Sequence, residues 1–170
     1  MTSKSLVRYI PLLTLLLLGS CSQDFLIETN PNAIATSDYY KTENDVLLAL
    51  NGVYNALRDN SGIAEGSGLY SEERSDNTGR NDNQSNAGEP FQFNAFALLP
   101  SNSYLQTHWT SLYQIITRAN YVLAGSEKVT YAKTDTKAQY QAEAKFIRAL
   151  IYFQLVRKWG DVPLVTKPLT

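Results

Sequence analysis

The sequence of 170 residues has very few side chains that could form cross-links or bind transition metals, with one cysteine and one histidine. Because Cys21 is alone, an internal disulfide is impossible. His108 has no cysteine or second histidine beside it, so it is expected to be a packing or surface residue, and no metal site or cofactor is predicted. The sequence also lacks a basic patch, which makes nucleic acid an unexpected partner.

The first 20 residues are predicted to be a secretion signal. Lys4 and Arg8 precede a short apolar run that is well below the roughly 20 residues needed to span a bilayer. Small residues then lead to Cys21. This segment holds two of the 15 basic residues and none of the 16 acidic ones, so the remainder has 13 basic and 16 acidic residues and a net charge of −3. Residues 21–41 are expected to form an extended tether ahead of a helical body, residues 42–170.

Two helices of the body are predicted from apolar residues that recur every three or four positions. The first begins after a cap at Thr42 and runs to about Arg58, and the second covers about residues 103–126. Gly52 inside the first helix suggests that a neighbouring helix crosses closely there. The predicted inward-facing residues are Val46, Leu47, Leu50, Val53, Tyr54 and Leu57 on the first helix, and Leu105, Trp109, Leu112, Ile116, Ala119 and Leu123 on the second.

A third helix is predicted to end at Gly160 and to leave its apolar face in need of a partner. Thr134 or Thr136 is expected to cap its start, while Gly160 favours a left-handed end and Pro163 an extended exit. This helix is predicted to pair antiparallel with the second one and to serve as scaffold, without ligand contacts. Its predicted buried face consists of Phe146, Ala149, Leu150, Phe153, Val156 and Trp159.

A charge pair between Arg118 and Glu143 is also predicted across these two helices, because each residue lies beside small ones. Buried pairs of this kind favour one helix register.

Residues 60–100 form the predicted binding region, because they are rich in glycine, asparagine and serine and have no sustained periodicity. Their planar polar groups and nearby aromatic rings suit the hydroxyls and C–H faces of a sugar. The alternative is a solvated loop whose phenylalanines, including Phe93 and Phe96, fix its return to the core. The candidate ligand-binding residues are Asp76, Arg80, Asn83, Phe91 and Asn94.

Three motifs in order resemble the N-terminal part of the SusD/RagB family. They are Trp109-x-x-x-Tyr113 with Arg118 and Asn120, the stretch 142–149 containing Glu143 and Arg148, and Trp159-Gly160 with Pro163. The segment Leu18-Gly19-Ser20-Cys21 also resembles a bacterial lipobox, and Asp24 after it is similar to surface-export signals of lipoproteins.

This resemblance implies an all-α fold of tetratricopeptide-like helix pairs with a long irregular loop. It implies a lipoprotein acylated at Cys21, held at the outer membrane and facing the exterior. Such a protein binds a glycan, without catalysis, and delivers it to a TonB-dependent, SusC-like transporter. Since family members are several times longer, residues 42–170 are expected to be an incomplete N-terminal helical domain.

Two other function classes are compatible with parts of the sequence. A secreted helical-repeat scaffold that binds a protein or peptide would use the same helix faces. A glycoside hydrolase would need two carboxylates about 5 to 10 Å apart across a cleft. Glu72 and Glu73 are adjacent, and Asp76 and Asp82 lie in the predicted loop, so no rigid element positions such a pair.

Overall fold

The computed structural model describes residues 39–58, 63, 68–77 and 88–168. All of them belong to one compact unit, Ser37–Thr170. The predicted signal peptide, Cys21, Asp24 and the N-terminal part of the tether lie outside the described residues.

Helices dominate the described part of the chain, which contains no strand. Helix α1 is Glu43–Leu57, α2 is the short Phe91–Asn94, α3 is Ser103–Ser126 and α4 is Thr134–Trp159. A 3-10 turn, Glu72–Arg74, precedes α2. The predicted all-α fold with an irregular connecting region is therefore confirmed.

Helices α3 and α4 form an antiparallel pair, and α1 packs against both. The direction is clear from their contacts, because His108 near the start of α3 meets Lys158 near the end of α4. At the opposite end, the amide of Gln141 in α4 donates to the hydroxyl of Ser126. None of the described helices has the length and apolar character that a membrane span requires.

One core joins the three long helices. Each helix contributes side chains that are almost fully removed from water, and burial of a large aliphatic side chain contributes about 1.5–3 kcal/mol. The innermost residues are Val46, Leu50 and Val53 of α1, Leu112, Ile115, Ile116, Ala119 and Val122 of α3, and Ala144, Ile147, Ile151 and Leu155 of α4.

The prediction of the buried face of α4 was wrong. Phe146, Phe153 and Val156 are 68%, 54% and 48% exposed, whereas Ile147 and Ile151 on the other side are at most 1% exposed. Helix α4 is apolar on two sides, so periodicity finds both stripes but does not say which one meets α1 and α3.

The cap predicted at the start of α1 is present, and the one predicted at the start of α4 is not. Thr42 forms a reciprocal capping box with Asp45, as predicted. Asn102 caps α3 by accepting from the backbone N–H groups of Tyr104 and Leu105. The prediction for α4 was wrong, since Lys133 occupies its N-cap position and provides no side-chain hydrogen bond.

The glycine that permits a close approach is Gly125 and not Gly52. A Cβ atom at Gly52 would have no neighbour within 4 Å, so the predicted close crossing there is absent. A Cβ atom at Gly125 would collide with the ring of Tyr40. Close approach between α3 and the segment before α1 therefore depends on the missing side chain of Gly125.

Arg118 and Glu143 contact α1 separately and do not pair with each other, so that prediction was also wrong. The Arg118 guanidinium donates to the carbonyl of Gly52 over 3.1 Å. The Glu143 carboxylate accepts from the hydroxyl of Tyr54 over 2.9 Å and from the Gln139 amide over 3.0 Å. Both residues therefore fix the position of α1 on the α3–α4 pair.

The residues after α4 run back along the helix pair as an exit segment, residues 160–168. Gly160 ends the helix with φ 75° and ψ −131°, a positive φ that a residue with a side chain rarely adopts. The Tyr113 hydroxyl donates to the carbonyl of Pro163 over 2.8 Å. Tyr152 accepts from the N–H of Val165 and donates to its carbonyl.

Asn120 and Arg148 complete this attachment. The Asn120 amide donates to the carbonyls of Val165 and Lys167, at 3.0 and 3.3 Å. Arg148 donates to the Asn120 side chain over 2.6 Å and to the carbonyl of Thr166 over 3.2 Å. Asn120 is only 1% exposed, so its polar atoms are paired inside the protein as buried amides require.

Candidate functional site

The 3-10 turn and α2 lie side by side and form the base of the candidate site. The Asn94 amide donates to the carbonyl of Glu73 over 3.0 Å and so joins the two elements. Phe93 is 1% exposed and meets Tyr70 with ring centroids 5.1 Å apart. Phe93 thus attaches α2 to the body, as the alternative interpretation of the loop predicted for its phenylalanines.

Residues 95–102 are fixed by a set of hydrogen bonds around Asn102, which is 1% exposed. Its amide donates to the carbonyl of Glu89 and to the Gln92 side chain, both at 2.9 Å. Gln92 also accepts from the N–H of Leu99. The Glu89 carboxylate accepts from the N–H and the hydroxyl of Ser103. The two hydrogen bonds from Ser103 lower the pKa of the Glu89 carboxyl, and the bond from the hydroxyl has the larger effect. Together, the hydrogen bonds join Leu99, Asn102 and Ser103 to Glu89 and Gln92.

Phe96 is the most unusual residue of this segment. Its φ is +55°, a backbone conformation that bulky residues rarely adopt and that concentrates at functional positions. The side chain is 65% exposed, although aromatic side chains normally contribute to cores. The Arg74 guanidinium lies over the ring, 4.8 Å from its centroid. The Phe96 ring thus has one face against the Arg74 cation and is exposed to solvent, on a segment that hydrogen bonds attach to Glu89 and Gln92.

A cavity of about 480 Å³ adjoins Arg74. The last turn of α4 lines one side of it. Tyr70, the 3-10 turn and the start of α3 provide the other side. The described lining residues are Tyr70, Ser71, Arg74, Leu98, Leu105, Gln154, Arg157, Lys158 and Trp159.

An aromatic cluster supports this cavity. Tyr70 lies 5.6 Å from Trp159 and 5.2 Å from the His108 ring, measured between centroids. Trp159 also meets Trp109 edge to face at 5.2 Å. His108 is thus a buried packing residue, 2% exposed, as one of its two predicted roles required.

Lys158 is inserted into this cluster. Its ammonium lies 2.8 Å from Nε2 of His108 and 5.0 Å from the centroid of the Tyr70 ring. Burial, followed by repulsion from Arg157, lowers the pKa of Lys158 to about 8. Burial also raises the pKa of Tyr70 to about 12. The Tyr70 hydroxyl is covered and has no hydrogen-bond partner in the described part of the chain.

Three of the five candidate ligand-binding residues fall within the described part. Asp76 is exposed just after the 3-10 turn, and Phe91 and Asn94 are half-buried in α2. The structure brings the Asn94 side chain to the turn, where its amide is already bound to Glu73. Arg80 and Asn83 lie outside the described residues. A ligand-binding role for all five stays a prediction.

Phe96, Arg74 and Lys158 are not among the ligand-binding residues predicted from the sequence. The positive φ of Phe96 has no sequence signature, because bulky aromatic residues disfavour it. Lys158 follows a helical pattern that predicts only a solvated basic end of α4. The motif Trp159-Gly160-Asp161 beside Lys158 was a sequence signal for this region, since it predicts that the chain turns at this end of the helix pair.

Acidic, histidine and cysteine side chains do not gather in the described ranges into any group of three that could hold a metal ion. Fold and site together define an all-helical scaffold built on an antiparallel helix pair. One end of it carries the exposed Phe96 ring and a cavity lined by Arg74, Arg157 and Lys158.

The chain belongs to the SusD-like family. Residues 24–170 match a SusD-like family model described as "Starch-binding associating with outer membrane". This family membership confirms the resemblance inferred from the three sequence motifs.

Three curated relatives illustrate the similarity. The SusD-like proteins P25 and P38 of Formosa agariphila are 33% and 30% identical to the chain over 162 residues, covering 90% and 95% of it. A SusD-like protein of Bacteroides ovatus is 28% identical and covers 89%. The chain spans 30% of the length of P25 and P38 and 27% of the length of the Bacteroides protein. Comparison with solved structures gave no significant match.

Proposed function

We propose that the protein binds an oligosaccharide or polysaccharide at the outer surface of a bacterial cell and passes it to a TonB-dependent, SusC-like transporter. Membership of a family described as starch-binding and associated with the outer membrane is the observation that carries this proposal. Binding takes place without catalysis, so the bound glycan is delivered intact.

Phe96 is the proposed stacking platform. Sugar rings present C–H faces that pack on aromatic rings, while their hydroxyls need planar donors and acceptors nearby. Phe96 offers an exposed ring, and Asp76 and Asn94 lie on the neighbouring turn and helix. Because the hydrogen bonds around Asn102 already fix the loop, little conformational entropy is lost when the sugar binds.

Attachment to the outer membrane is proposed to depend on acylation of Cys21. The apolar run before it is too short to span a bilayer, and acyl chains contribute about 0.8 kcal/mol for each buried methylene. Replacing Cys21 with Ser should move the protein from the membrane fraction to the soluble fraction. Retention of the Cys21→Ser protein in the membrane would contradict this part of the proposal.

The function is tested by electrophoresis of the full-length protein through native gels that contain single polysaccharides. Retardation by one or more polysaccharides, relative to a protein of similar size without glycan affinity, is the expected result. A protein that migrates unchanged in every gel does not bind glycans. It would then fit the alternative of a scaffold for a protein or peptide, for which the exposed apolar stripe of α4 offers a surface.

A further inference from the structure

The cavity beside Phe96 is lined by three cationic side chains, Arg74, Arg157 and Lys158. Among the described lining residues none is acidic. None of the three cations forms an ion pair with a carboxylate of the described residues. An ion pair between Lys137 and Glu127 lies instead at the opposite end of the helix pair. This excess of one sign is unusual in a chain whose formal net charge is −1.

Each cation is instead held by an aromatic ring. Arg74 lies over Phe96, and Arg157 lies over Phe153 with its Cζ atom 5.2 Å from the ring centroid. Lys158 lies over the Tyr70 ring beside His108. A ring face orients a cation without neutralising it, so the positive charge stays available to a ligand.

We propose that this cavity receives an oxyanion of the bound glycan, a carboxylate or a sulfate ester. The inference rests on the proposed function, since it names the class of glycan that the same site takes. Arg74 connects the two parts of the site because it touches the Phe96 ring and also lines the cavity. A sugar stacked on Phe96 thus has its charged substituent directed toward Arg157 and Lys158.

The chemistry of the lining suits such a group. Guanidinium groups bind carboxylate and sulfate oxygens through two parallel hydrogen bonds, and the lysine adds a compact charge. The covered Tyr70 hydroxyl, which has no acceptor among the described residues, would gain one from a ligand oxygen that reaches it. An anion beside Lys158 would also favour its charged form and offset the effect of burial.

Calorimetry with the full-length protein tests this inference. The probes are polygalacturonate, which carries carboxylates, κ-carrageenan, which carries sulfate esters, and neutral amylopectin, each titrated at low and at high sodium chloride. We expect binding of at least one acidic polysaccharide, weakened by salt because screening acts on charged contacts. The two acidic probes distinguish a carboxylate ligand from a sulfate ligand.

Arg157→Gln is the diagnostic variant, since Arg157 is exposed and its replacement leaves the core intact. We expect its affinity for the acidic polysaccharide to fall by about tenfold, the usual effect of losing a hydrogen bond to a charged group. The matched control is Arg58→Gln, which removes an exposed arginine that follows α1 and does not line the cavity.

Binding of amylopectin alone would overturn the inference and leave the proposed function standing. Equal losses in Arg157→Gln and Arg58→Gln would overturn it as well, because the charge effect would then not belong to the cavity. Absence of binding to any polysaccharide, in these titrations and in the gels, would overturn both proposals.

Discussion

At the scale of single residues, Tyr70 connects the stability of the protein with its site. Its ring is packed between Phe93 and Trp159, with centroids 5.1 and 5.6 Å away. Its hydroxyl is buried and forms no hydrogen bond with the described residues. An unsatisfied buried donor costs about 1–3 kcal/mol of stability, a cost that proteins usually avoid.

Replacing Tyr70 with Phe should therefore raise the free energy of unfolding by about 1 kcal/mol, because the ring contacts remain and the unpaired hydroxyl is removed. Urea denaturation followed by circular dichroism measures this change. Tyr113→Phe is the matched control, since the Tyr113 hydroxyl donates to the Pro163 carbonyl and its removal should lower stability by about 1 kcal/mol. A loss of stability in Tyr70→Phe would mean that its hydroxyl is satisfied.

Lys158 should make stability depend on pH. Its folded pKa of about 8 lies below the ordinary value of 10.5, while His108, Tyr70 and Arg157 surround its ammonium. Between these two pH values the unfolded chain binds a proton that the folded chain does not. The Lys158 contribution therefore makes the free energy of unfolding rise as pH increases from about 8 to 10.5, and below pH 8 it is constant.

The rise is measured by denaturation at pH 7.5 and 9.5, comparing wild type with Lys158→Met. The wild-type protein should gain stability relative to the variant at the higher pH. Tyr70 stays neutral throughout this range because its pKa is raised to about 12. An identical pH response in the two proteins would show that the folded and unfolded pKa values of Lys158 are the same.

At the scale of elements, the helices were more predictable than their orientation. The bounds of α1 and α3 follow from the Thr42 cap and from a single apolar stripe on each helix. Helix α4 carries two stripes, so its rotation is not determined by pattern. Contacts that are distant in sequence fix that rotation, namely Arg148 with Asn120 and Glu143 with Tyr54.

The site was less predictable than the fold for a similar reason. A loop rich in polar and aromatic residues identifies a region, and Phe91 and Asn94 were predicted as ligand residues in this way. The cavity combines residues near 105 and 158, which the antiparallel pair brings together, with Tyr70, whose position depends on its contacts with Phe93 and Trp159. No local sequence pattern predicts this convergence or the positive φ of Phe96.

Two glycines test how the elements approach each other. Gly52→Ala should stabilise the protein by about 1 kcal/mol, because alanine favours the helix and its Cβ meets nothing within 4 Å. Gly125→Ala should destabilise it, because the added methyl group collides with the Tyr40 ring. Thermal denaturation of both variants gives the comparison. Destabilisation by Gly52→Ala would restore the close crossing predicted from the sequence.

Asn120 tests the attachment of the exit segment. Replacing it with Ala removes two hydrogen bonds to this segment and one to Arg148, and should cost about 2–3 kcal/mol. Hydrogen exchange should also accelerate in residues 163–168. Gln114→Ala, on an exposed position of the same helix, should change stability by less than about 0.5 kcal/mol. Equal effects of the two substitutions would exclude a special role for Asn120.

At the scale of the whole molecule, the helix pair forms a scaffold that carries the candidate site at one end. The motifs that identify the family surround the exit segment and hold α3, α4 and residues 160–168 together through Tyr113, Asn120 and Arg148. The proposed ligand surface lies at one end of this scaffold, on the irregular segments around Phe96. Binding residues are often carried on loops that a rigid scaffold positions.

Calorimetric titration of the full-length wild-type protein, Phe96→Ala and Phe146→Ala with a retarding polysaccharide tests the central claim most directly. Phe146 is exposed on α4, outside the site, and serves as the matched control. Phe96→Ala should weaken binding by at least about tenfold, as loss of an aromatic anchor does, while Phe146→Ala binds like wild type. Wild-type affinity in a folded Phe96→Ala protein would contradict the proposed site.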